Sequence, residues 1–509
     1  MAKTYPSMRG EITYSQAKGK ESNALLTLED YEQTLKFFTY LKENIDLIQD
    51  IASHHLGVSP ESCEVCKDVR KWHWGSFNVA IPIAVPSFKR VLIRFPIPHR
   101  AGERFQVGNV DEKIQCEAGA YVWLQENCPS IRIPKLYGFA FSGQSFTAIE
   151  YLSTFGFYFQ HLRRLILKAL RYRLPSRYIH RKNLGLDVLK AGYLLLEYIE
   201  ESDGVMLSRS WEDGQQNTTL RTNLFRSLSR ILLTIAKVPV PRIGSFIIDN
   251  HGFLELSNRP LSVEIGNLEQ AQIPTIPRGV TYSSVDPYIM DTLAFHDSRL
   301  RHQPNAALDK IDCVYQMSAL ATMKSIMPHF FSPEFREGPF VLTLTDLHRS
   351  NILVDKDWNI TCIIDLEFAC SRPIQMLHPP EWLTGHAVDQ IDSTAYDTIR
   401  QEFMNVFEGE EKQFCFDDST RLSSIMNQGW QTGTFWFSLA LQSPTGLFAI
   451  FYDHIQPRFA KGQDRFGNFY KIASQYWTAD AEAFIRRKLE EKAAYDEQLK
   501  EKFGVGLSE

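Results

Sequence analysis

Three polar residues around one predicted hairpin have the types and the spacing of a site for a hard cation. Asn351 begins an apolar run that predicts a strand, residues 355–359 have turn composition, and residues 360–364 predict the returning strand. Because an antiparallel hairpin brings its two open ends together, Asn351 and Asp365 are expected to lie side by side. An amide oxygen and a carboxylate are ligands of the kind that Mg²⁺ prefers. Asp346 lies in the loop that enters the hairpin, so all three residues converge.

The alternative is a turn-rich hairpin in which the Asp and Asn residues only cap and bend the chain. We assign that role to Asp355, Asp357 and Asn359. Asp365 differs, because it follows two isoleucines and precedes Leu366 in an otherwise apolar strand. A carboxylate at such a position requires a partner or a metal. A functional role is therefore the stronger hypothesis for the three residues that converge at the open end of the hairpin.

The elements that position these residues follow from hydrophobic periodicity and turn residues. In chain order they are helices over residues 28–56, strands over 79–85 and 90–97, a helix over 110–127, a strand pair near 136–151, an apolar strand over 193–199, a mainly helical part, the hairpin at 340–366 and a charged helix from about 478 to 503. Strands with one helix, followed by a mainly helical part, predict an α+β fold in two lobes.

A second pair of charged residues is predicted in the strand-rich part. On the predicted helix after the first strands, Glu117 shares one face with Ile114, Tyr121 and Leu124. A carboxylate on a buried face needs a cation, and Arg94, inside an apolar strand, is the candidate. The alternative is that Glu117 lies at a helix end that faces solvent.

The composition is that of an ordinary globular protein. The chain has 509 residues, of which 44% are hydrophobic and 23% charged, and its net charge is −5. A negative net charge argues against nucleic-acid binding by bulk electrostatics. The N-terminal residues lack the apolar core of a signal peptide, and no apolar run reaches the roughly 18 residues of a membrane span. The 8 cysteines indicate free thiols in a reducing compartment, so we expect a cytoplasmic protein.

One cysteine pair has the spacing of zinc ligands. Cys63 and Cys66 are separated by two residues, and His54, His55 and His73 lie nearby. A structural zinc site usually needs four ligands, and the sequence has no second close cysteine pair. We therefore expect incidental thiols rather than a zinc site.

The segment between residues 151 and 186 differs in charge from the rest of the chain. It contains no Asp or Glu and carries +8, which leaves −13 for the remainder of a chain whose net charge is −5. Its cations are Arg163, Arg164, Lys168, Arg171, Arg173, Arg177, Arg181 and Lys182. Beside them runs an apolar stripe that comprises Leu162, Leu165, Ile166, Ala169 and Leu170. Through residues 160–182, such a basic amphipathic helix can lie on anionic lipid or dock an acidic partner. The simpler interpretation, which we prefer, is a solvated helical hairpin that closes on the chain's own acidic lobe.

The family becomes recognisable from the residues around the hairpin. Asp346-x-x-x-x-Asn351, followed by Asp365, has the spacing of a kinase catalytic loop and its metal-binding aspartate. The local sequence, TDLHRSNILVD and then IIDLE, resembles the aminoglycoside phosphotransferase family, which includes choline-kinase-like enzymes, and is most similar to its large fungal branch. Softer matches are residues 241–245, 258–260 and 372–383. The resemblance covers roughly residues 70–400.

This resemblance implies a protein-kinase-like bilobal fold, with a small β-rich N-lobe and a larger helical C-lobe, and phosphoryl transfer that depends on ATP and Mg²⁺. Asp346 would accept the proton of the substrate hydroxyl, while Asn351 and Asp365 would hold Mg²⁺ on the nucleotide phosphates. Arg94 and Glu117 would form the clamp on the α- and β-phosphates. The remaining nucleotide-binding residues are the turn over the phosphates and two residues of the strand that leads to the adenine-binding hinge: Gly75, Ser76, Phe77, Asn78, Glu197 and Tyr198.

The resemblance and the predicted elements divide the chain into four parts. They are an N-terminal helical extension over residues 1–69, a kinase-like N-lobe over 70–204 with the basic insertion at 152–190, a helical C-lobe over 205–477, and a charged C-terminal helix and tail over 478–509. The C-lobe should build the pocket for the phosphate acceptor. Its aromatic residues suit a cationic or amphipathic ligand, although core packing is the interpretation we prefer for Trp382, Trp430, Phe435, Trp436 and Tyr452.

Three departures from the family pattern affect the functional prediction. Arg94 stands where the usual residue is lysine, and a guanidinium binds as a planar fork rather than as a point charge. Leu344 stands where many relatives have histidine, and His348 is not an equivalent because it follows Asp346. The phosphate turn has one glycine, Gly75, where a rich loop has two or three.

Two function classes therefore stay open. The first is a small-molecule kinase that depends on Mg²⁺ and ATP. The second is a catalytically silent kinase-like module that acts through nucleotide or partner binding. The joint presence of all three metal-competent residues at the hairpin favours the enzyme. A Ser/His/Asp hydrolase is a poor third alternative, because no G-x-S-x-G motif occurs.

Overall fold

The two ends of the chain pack together. The computed structural model describes residues 3–8, 10–181, 189–414, 416, 421–460 and 468–505. The first elements are β1 (Tyr5–Ser7), β2 (Gly10–Ile12), α1 (Tyr14–Lys18), α2 (Ala24–Leu28), α3 (Asp30–Glu43) and α4 (Ile45–Leu56). The elements from β1 to α2 share a small apolar cluster with the last helix of the chain, where the rings of Tyr5 and Phe503 lie 5.0 Å apart. The α3–α4 pair instead packs on the sheet that follows, and the Phe38 and Trp72 rings lie 5.8 Å apart in that contact.

An antiparallel sheet with one long helix follows. Its elements are β3 (Glu64–Val65), β4 (His73–Trp74), β5 (Asn78–Val85), β6 (Lys89–Pro96), α5 (Asn109–Asn127), β7 (Leu136–Phe141), β8 (Gln144–Ala148), α6 (Thr154–Ala169), β9 (Tyr178–Arg181) and β10 (Tyr193–Glu197). The strand order is β3-β5-β6-β10-β7-β8-β9, and β4 also pairs with β5. The strands β5, β6 and β10 carry runs of Val, Ile and Leu, which favour a pleated buried surface. Arg94 on β6 is in register with Leu194 on β10.

The rest of the chain is mainly helical, with short strand pairs. Its elements are β11 (Val205–Met206), α7 (Leu207–Gly214), α8 (Thr218–Ala236), β12 (Ser245–Ile248), β13 (Leu254–Asn258), α9 (Val263–Gln270), α10 (Val285–His302), α11 (Lys310–Ile326), β14 (Phe340–Leu344), β15 (Ile352–Val354), β16 (Ile360–Ile363), β17 (Ala369–Pro373), α12 (Ser393–Glu411), α13 (Leu422–Thr432), α14 (Thr434–Gln442), α15 (Leu447–Ile450), α16 (Gln456–Phe459), α17 (Phe469–Ala473) and α18 (Ala481–Phe503). β11, β15 and β16 form one sheet, β12 pairs with β13, and β14 pairs with β17. Mixed helix and sheet, with the sheet-rich part first, agree with the α+β prediction.

The predicted hairpin is present. β15 and β16 are antiparallel, and Ile352 pairs with Ile363, so Asn351 and Asp365 flank its open end. The turn is held by Asp355, whose Oδ1 accepts hydrogen bonds from the backbone N–H groups of residues 357 and 359, both at 2.9 Å. Asp355 therefore has the capping role that the sequence predicts for it.

Helix α5 is packed closely against the helical part of the molecule. It lies against β12, and Gly119 is at the contact. A Cβ atom at this position would overlap the backbone carbonyl of Phe246, so only glycine allows the helix to approach this closely. The contact fixes where α5 presents Glu117 relative to the hairpin.

Most of the aromatic residues considered for an acceptor pocket are core residues. Trp382, Phe435 and Trp436 are buried, while Trp430 and Tyr452 are half-buried and pack against the same core. Core packing therefore accounts for them without a ligand.

The cysteine pair near the N-terminus does not gather histidine ligands in the described structure. Cys63 and Cys66 are free thiols. The neighbouring His55 is buried, and its ring nitrogens contact Thr147 Oγ1 at 2.8 Å and the Tyr193 hydroxyl at 3.0 Å. This histidine thus belongs to the core between α4 and the sheet.

The basic insertion contains helix α6 and strand β9. Three of its arginines pair with acidic residues of the chain: Arg164 with Glu126, Arg173 with Glu255 and Arg177 with Glu150. Lys182, with residues 183–188 of the predicted insertion, lies outside the described residues, as do residues 1–2 and 506–509 of the predicted terminal segments. Among the helices that the structure describes, none is long and apolar enough to cross a membrane.

Candidate active site

The loop between β14 and β15 joins Asp346 to Asn351. The Asn351 Nδ2 group donates hydrogen bonds to the backbone oxygen of Asp346 at 2.9 Å and to its Oδ2 at 3.3 Å. The Ile364 N–H donates to the Asn351 carbonyl oxygen at 3.0 Å, which connects this loop to the end of β16. Because the amide nitrogen of Asn351 is engaged with Asp346, the amide oxygen is the atom available to a cation.

Asp365 lies at the other open end of the hairpin, in a strained backbone conformation. Its φ angle is 63°, in the left-handed region that residues other than glycine rarely adopt. Strain of this kind persists only where surrounding contacts enforce it, and it clusters at functional sites. One such contact comes from Arg94, whose Nη1 donates to Asp365 Oδ1 at 3.0 Å.

Arg94 also pairs with Glu117, as the sequence predicts. Their side chains are only 9% and 2% exposed, and the ion pair joins β6 to α5. Burial raises the pKa of Glu117, and the Arg94 guanidinium opposes that rise. One guanidinium thus contacts two carboxylates, Glu117 through Nη2 and Asp365 through Nη1. The ion pair is present, whereas its role as a phosphate clamp stays a prediction.

A second buried ion pair beside the first was not predicted. Lys113 on α5 lies with its Nζ 2.9 Å from Glu367 Oε2, and both side chains are buried. Burial lowers the pKa of Lys113 although Glu367 opposes this, and burial together with Asp365 raises the pKa of Glu367. Two signals could have identified the pair. Lys113 lies one helical turn before Glu117, and Glu367 lies two residues after Asp365.

The predicted phosphate turn, residues 75–78, contacts this charged cluster, and two of its four residues are buried. The Gly75 N–H donates to the Asn78 carbonyl oxygen at 2.9 Å, which closes the turn. The Asn78 Nδ2 group donates to Glu367 Oε2 at 2.6 Å, and the Phe77 ring packs edge-on against Phe368 at 5.2 Å. Gly75 and Ser76 are exposed. Only these two residues of the predicted turn therefore face outward, where phosphates could approach them.

The two predicted hinge residues lie at the end of β10, and their side chains have structural partners. Glu197 accepts hydrogen bonds from Arg132 at 2.7 and 2.9 Å, and its backbone N–H donates to the Lys135 carbonyl oxygen at 2.8 Å. The Arg90 guanidinium lies over the Tyr198 ring, 4.0 Å from its centroid. The Glu197 N–H is therefore engaged within the protein, and the role of the two residues toward adenine stays a prediction.

The carboxyl group of Asp346 is unusually hard to ionise. Burial, the Asp365 carboxylate and the Glu367 carboxylate raise its pKa to about 7. Like charges that share a small, poorly hydrated volume disfavour the ionised form. A carboxylate with a pKa near neutrality is suited to accept a proton, because its basicity matches that of the medium. The value therefore supports the assignment of Asp346 as a general base.

His348 contacts Asp346, although the sequence pattern gave no reason to include it. Its Nε2 lies 3.5 Å from Asp346 Oδ1, and its Nδ1 accepts a hydrogen bond from the Ser350 N–H at 3.1 Å. Burial lowers the pKa of His348. An acceptor role for Nδ1 leaves the ring proton of the neutral form on Nε2, where it faces Asp346. Although it follows Asp346 in sequence, His348 is therefore positioned to orient that carboxyl group.

The oxygen donors at the hairpin fit a hard cation that arrives with other ligands. No group of three or more His, Cys, Asp or Glu side chains among the described residues is arranged to hold a metal ion alone. Asn351 and Asp365 offer an amide oxygen and a carboxylate, and Mg²⁺ commonly uses one or two protein ligands together with phosphates and water. Burial raises the pKa of Asp346, and so do the nearby Asp365 and Glu367 carboxylates, whose repulsion a bound cation would relieve. The residues present thus fit Mg²⁺ delivered with a nucleotide.

A buried network anchors the N-terminal turn of α5. Arg259 donates to Glu112 at 2.7 and 2.8 Å and pairs with Glu269, while Arg278 donates to Glu112 at 2.9 Å. Asn258 also donates to Glu112, at 2.8 Å. Residues 258–260 were one of the matching phrases in the sequence, and the structure gives them this anchoring contact. The network anchors the part of the helix that carries Lys113 and, one turn later, Glu117.

Among the comparisons with known proteins, one family match points to a phosphotransferase. A family model described as phosphotransferase enzyme family (APH) matches residues 181–376, a range that includes Asp346, Asn351 and Asp365. A solved structure of macrolide 2'-phosphotransferase MphH from Brachybacterium faecium has 12% identity and a TM-score of 0.35, and the match covers 83% of this chain and 100% of that chain. No curated protein matches the chain. The family match agrees with the resemblance to phosphotransferases, while the fungal branch stays a prediction.

Proposed function

We propose that this protein is a small-molecule kinase that transfers a phosphoryl group from ATP to a hydroxyl of its substrate. The observation that carries the proposal is the convergence of Asp346, Asn351 and Asp365 at the open end of one hairpin, where the Asp346 pKa is raised to about 7. The match of residues 181–376 to a phosphotransferase family gives independent support.

In this proposal the chain's own residues position the reactants and move one proton. Asp346 receives the proton of the substrate hydroxyl, and the hydrogen bond from Asn351 keeps its carboxyl group oriented. Asn351 and Asp365 would hold Mg²⁺ through their oxygens. When bound, ATP would supply the phosphoryl group, and Mg²⁺ would partly neutralise the negative charge of the phosphates. The catalytic contribution of the protein is then mainly positioning and electrostatic stabilisation.

The small-lobe residues would grip the nucleotide. Arg94 and Lys113 are buried cations, and each is paired with a carboxylate that keeps it in place. A guanidinium can bind a phosphate bidentately, so Arg94 is compatible with the role that lysine usually has. The exposed backbone of Gly75 and Ser76 would cover the phosphates. For adenine, the proposal relies on the backbone of Tyr198, because the Glu197 N–H is engaged.

The test is phosphate transfer with a matched pair of variants. Purified protein is incubated with labelled ATP, Mg²⁺ and a metabolite extract, and labelled products are compared between wild type, Asp346→Asn and Asp355→Asn. Both substitutions exchange a carboxylate for an amide within the same loop-and-hairpin unit, but only Asp346 is assigned to chemistry. We expect Asp346→Asn to lose at least a hundredfold in transfer, in line with the loss of a general base, while Asp355→Asn stays near wild type. Equal activity of wild type and Asp346→Asn would refute the proposal.

One observation favours a second candidate, the catalytically silent kinase-like module. The Asp365 carboxylate that would bind the metal is already engaged by Arg94 at 3.0 Å. If that contact persisted, the protein would bind nucleotide without Mg²⁺ or would bind none. Calorimetry of ATP binding with Mg²⁺ and with EDTA separates the two functions, because the kinase requires an affinity that rises with Mg²⁺.

The compartment is part of the same proposal. The cysteines that the structure describes are free thiols, six of them buried and Cys66 half-buried. Free thiols are typical of a reducing compartment, which supports a cytoplasmic kinase supplied with cellular ATP.

A further inference from the structure

Helix α6 exposes its apolar side chains on the outside of the molecule. Six large apolar residues on its outer face are between 50% and 82% exposed: Phe155, Tyr158, Phe159, Leu162, Leu165 and Ile166. They recur at spacings of three and four, so they form one continuous face. The half-buried residues Phe157, Arg164 and Leu167 lie on the opposite side, where the helix contacts the rest of the protein. The inner face of α6 therefore packs on the protein, while the sequence-based expectation that this segment closes on an acidic lobe stays a prediction.

The exposed face is bordered by cations. Arg163, Lys168 and Arg171 are exposed and have no acidic partner among the described residues, unlike Arg164. Residues 152–181, which include α6 and β9, contain no Asp or Glu. An apolar face of this size with a basic border is unusual on a monomeric soluble protein and normally marks a docking surface.

We propose that α6 docks the protein on an anionic lipid bilayer, with its apolar face among the acyl chains and its cations at the phosphate headgroups. The 16 residues of the helix span about 24 Å, which is too short to cross a hydrocarbon core of about 30 Å but suits a helix that lies in the interface. At its N-terminal end, Tyr158 is of the type enriched at this depth, and Phe155 and Phe159 are of a type common on the apolar face of interfacial helices. The basic border provides charge complementarity to anionic lipid.

A second copy of the chain fits this face less well. Two α6 helices packed face to face would bring the cations of both borders together with no acidic residue between them, and such like-charge contacts are unfavourable. The surface is also distinct from the active site, because α6 contributes none of its residues. The proposal therefore goes beyond phosphoryl transfer and does not depend on it.

The experiment is co-sedimentation of the full chain with vesicles of phosphatidylcholine alone or with 30% phosphatidylserine. We expect at least tenfold more binding to the anionic vesicles and a strong reduction in 0.5 M NaCl, because salt screens the headgroup attraction. The variant Leu162→Gln/Leu165→Gln/Ile166→Gln should lose at least tenfold in binding. The matched control Leu308→Gln/Ile311→Gln removes apolar residues that are 73% and 64% exposed elsewhere and should bind like wild type.

Melting curves and gel filtration complete the test. The triple variant should melt within one or two degrees of wild type, since its changed side chains are exposed; a large loss of stability would mean that the face is covered by the chain itself and would overturn the proposal. Absence of wild-type binding to anionic vesicles would also overturn it. So would a concentration-dependent dimer that the triple variant abolishes, or binding to poly-glutamate without binding to vesicles, because these results assign the face to a second copy or to an acidic protein.

Discussion

Replacing Asp346 with asparagine is expected to stabilise the ligand-free protein while it abolishes phosphate transfer. The carboxyl group is half-buried near Asp365 and Glu367, and together partial burial and these two carboxylates raise its pKa from 3.8 to about 7. Ionisation of Asp346 therefore costs more free energy in the native state than in the unfolded chain. An amide has similar shape, accepts the hydrogen bond from Asn351 and carries no charge, so the substitution removes the repulsion and retains the contact.

The magnitude follows from the two pKa values. A carboxyl group whose folded pKa exceeds its unfolded pKa destabilises the native state progressively as the pH rises from the lower value to the higher one. Between 3.8 and about 7 this amounts to at most about 4 kcal/mol, and the effect is complete above pH 7. The Asp346 side chain is 23% exposed, so water reduces the penalty, and we expect about 1–3 kcal/mol of stabilisation by the asparagine at pH 8.

The assay is differential scanning calorimetry of both proteins, without nucleotide, at several values of pH from 4.5 to 8.5. The melting temperature of Asp346→Asn should exceed that of wild type by a few degrees at pH 8, and the difference should shrink as the pH falls. Asp355→Asn is the matched control with the opposite sign. Burial acts to raise the pKa of Asp355, but hydrogen bonds from Asn359 and from two backbone N–H groups hold it below its ordinary value. That variant should lose stability at neutral pH.

Two results would refute this reasoning. The first is an Asp346→Asn protein that melts at or below the wild-type temperature at pH 8. The second is a melting difference that does not change with pH, because the explanation rests on a carboxyl group that titrates. Either result would mean that the like-charge cluster is hydrated or already neutralised, and that the raised pKa does not describe the protein in solution.

Three further predictions concern the elements around the site. Arg94→Met leaves two carboxylates without their cation and should lower the free energy of unfolding by about 3–5 kcal/mol in urea titrations, whereas Arg209→Met, in an exposed pair, should change it by less than about 1 kcal/mol. Gly119→Ala should lower both melting temperature and phosphate transfer, because a Cβ overlaps the facing backbone, while Gly409→Ala on the open side of α12 should be neutral or stabilising. Asp365→Ala should remove the part of ATP affinity that requires Mg²⁺, and calorimetry with Mg²⁺ and with EDTA measures that part.

The parts of the site that the sequence could predict are those whose geometry is local. Asn351 and Asp365 are joined by a short hairpin, so strand periodicity and turn composition alone bring them together. The Arg94–Glu117 pair could be predicted across distant positions because each charge lies in an apolar pattern and requires a partner. The predicted burial of each charge therefore implied a partner of opposite charge, although the two residues are far apart in the sequence.

The contacts that the sequence did not predict depend on how the two parts of the fold meet. Lys113 and Glu367 are 254 positions apart, and although each has a local signal, nothing in the sequence pairs one with the other. The Arg94–Asp365 contact likewise depends on how α5 and β6 are placed relative to the hairpin. The close packing of α5 at Gly119 contributes to that placement. For α6, periodicity identified the apolar stripe but could not indicate which way it faces. That direction depends on what the helix packs against, and the structure shows that the face with Phe157, Arg164 and Leu167 makes the contacts with the protein.

The arginine at position 94 is better explained by the site than by the family pattern. Its guanidinium reaches Glu117 with one terminal nitrogen and Asp365 with the other, so a single cation neutralises a carboxylate on α5 and one at the hairpin. A lysine ammonium, a single compact charge, has no rigid fork with which to hold two carboxylates in fixed relative positions. In the proposed kinase, Asp365 would hold Mg²⁺, and the Nη1 arm of Arg94 would be available to a phosphate while the Nη2 arm keeps its contact with Glu117. Both arms of the guanidinium would then be needed, one for α5 and one for the site.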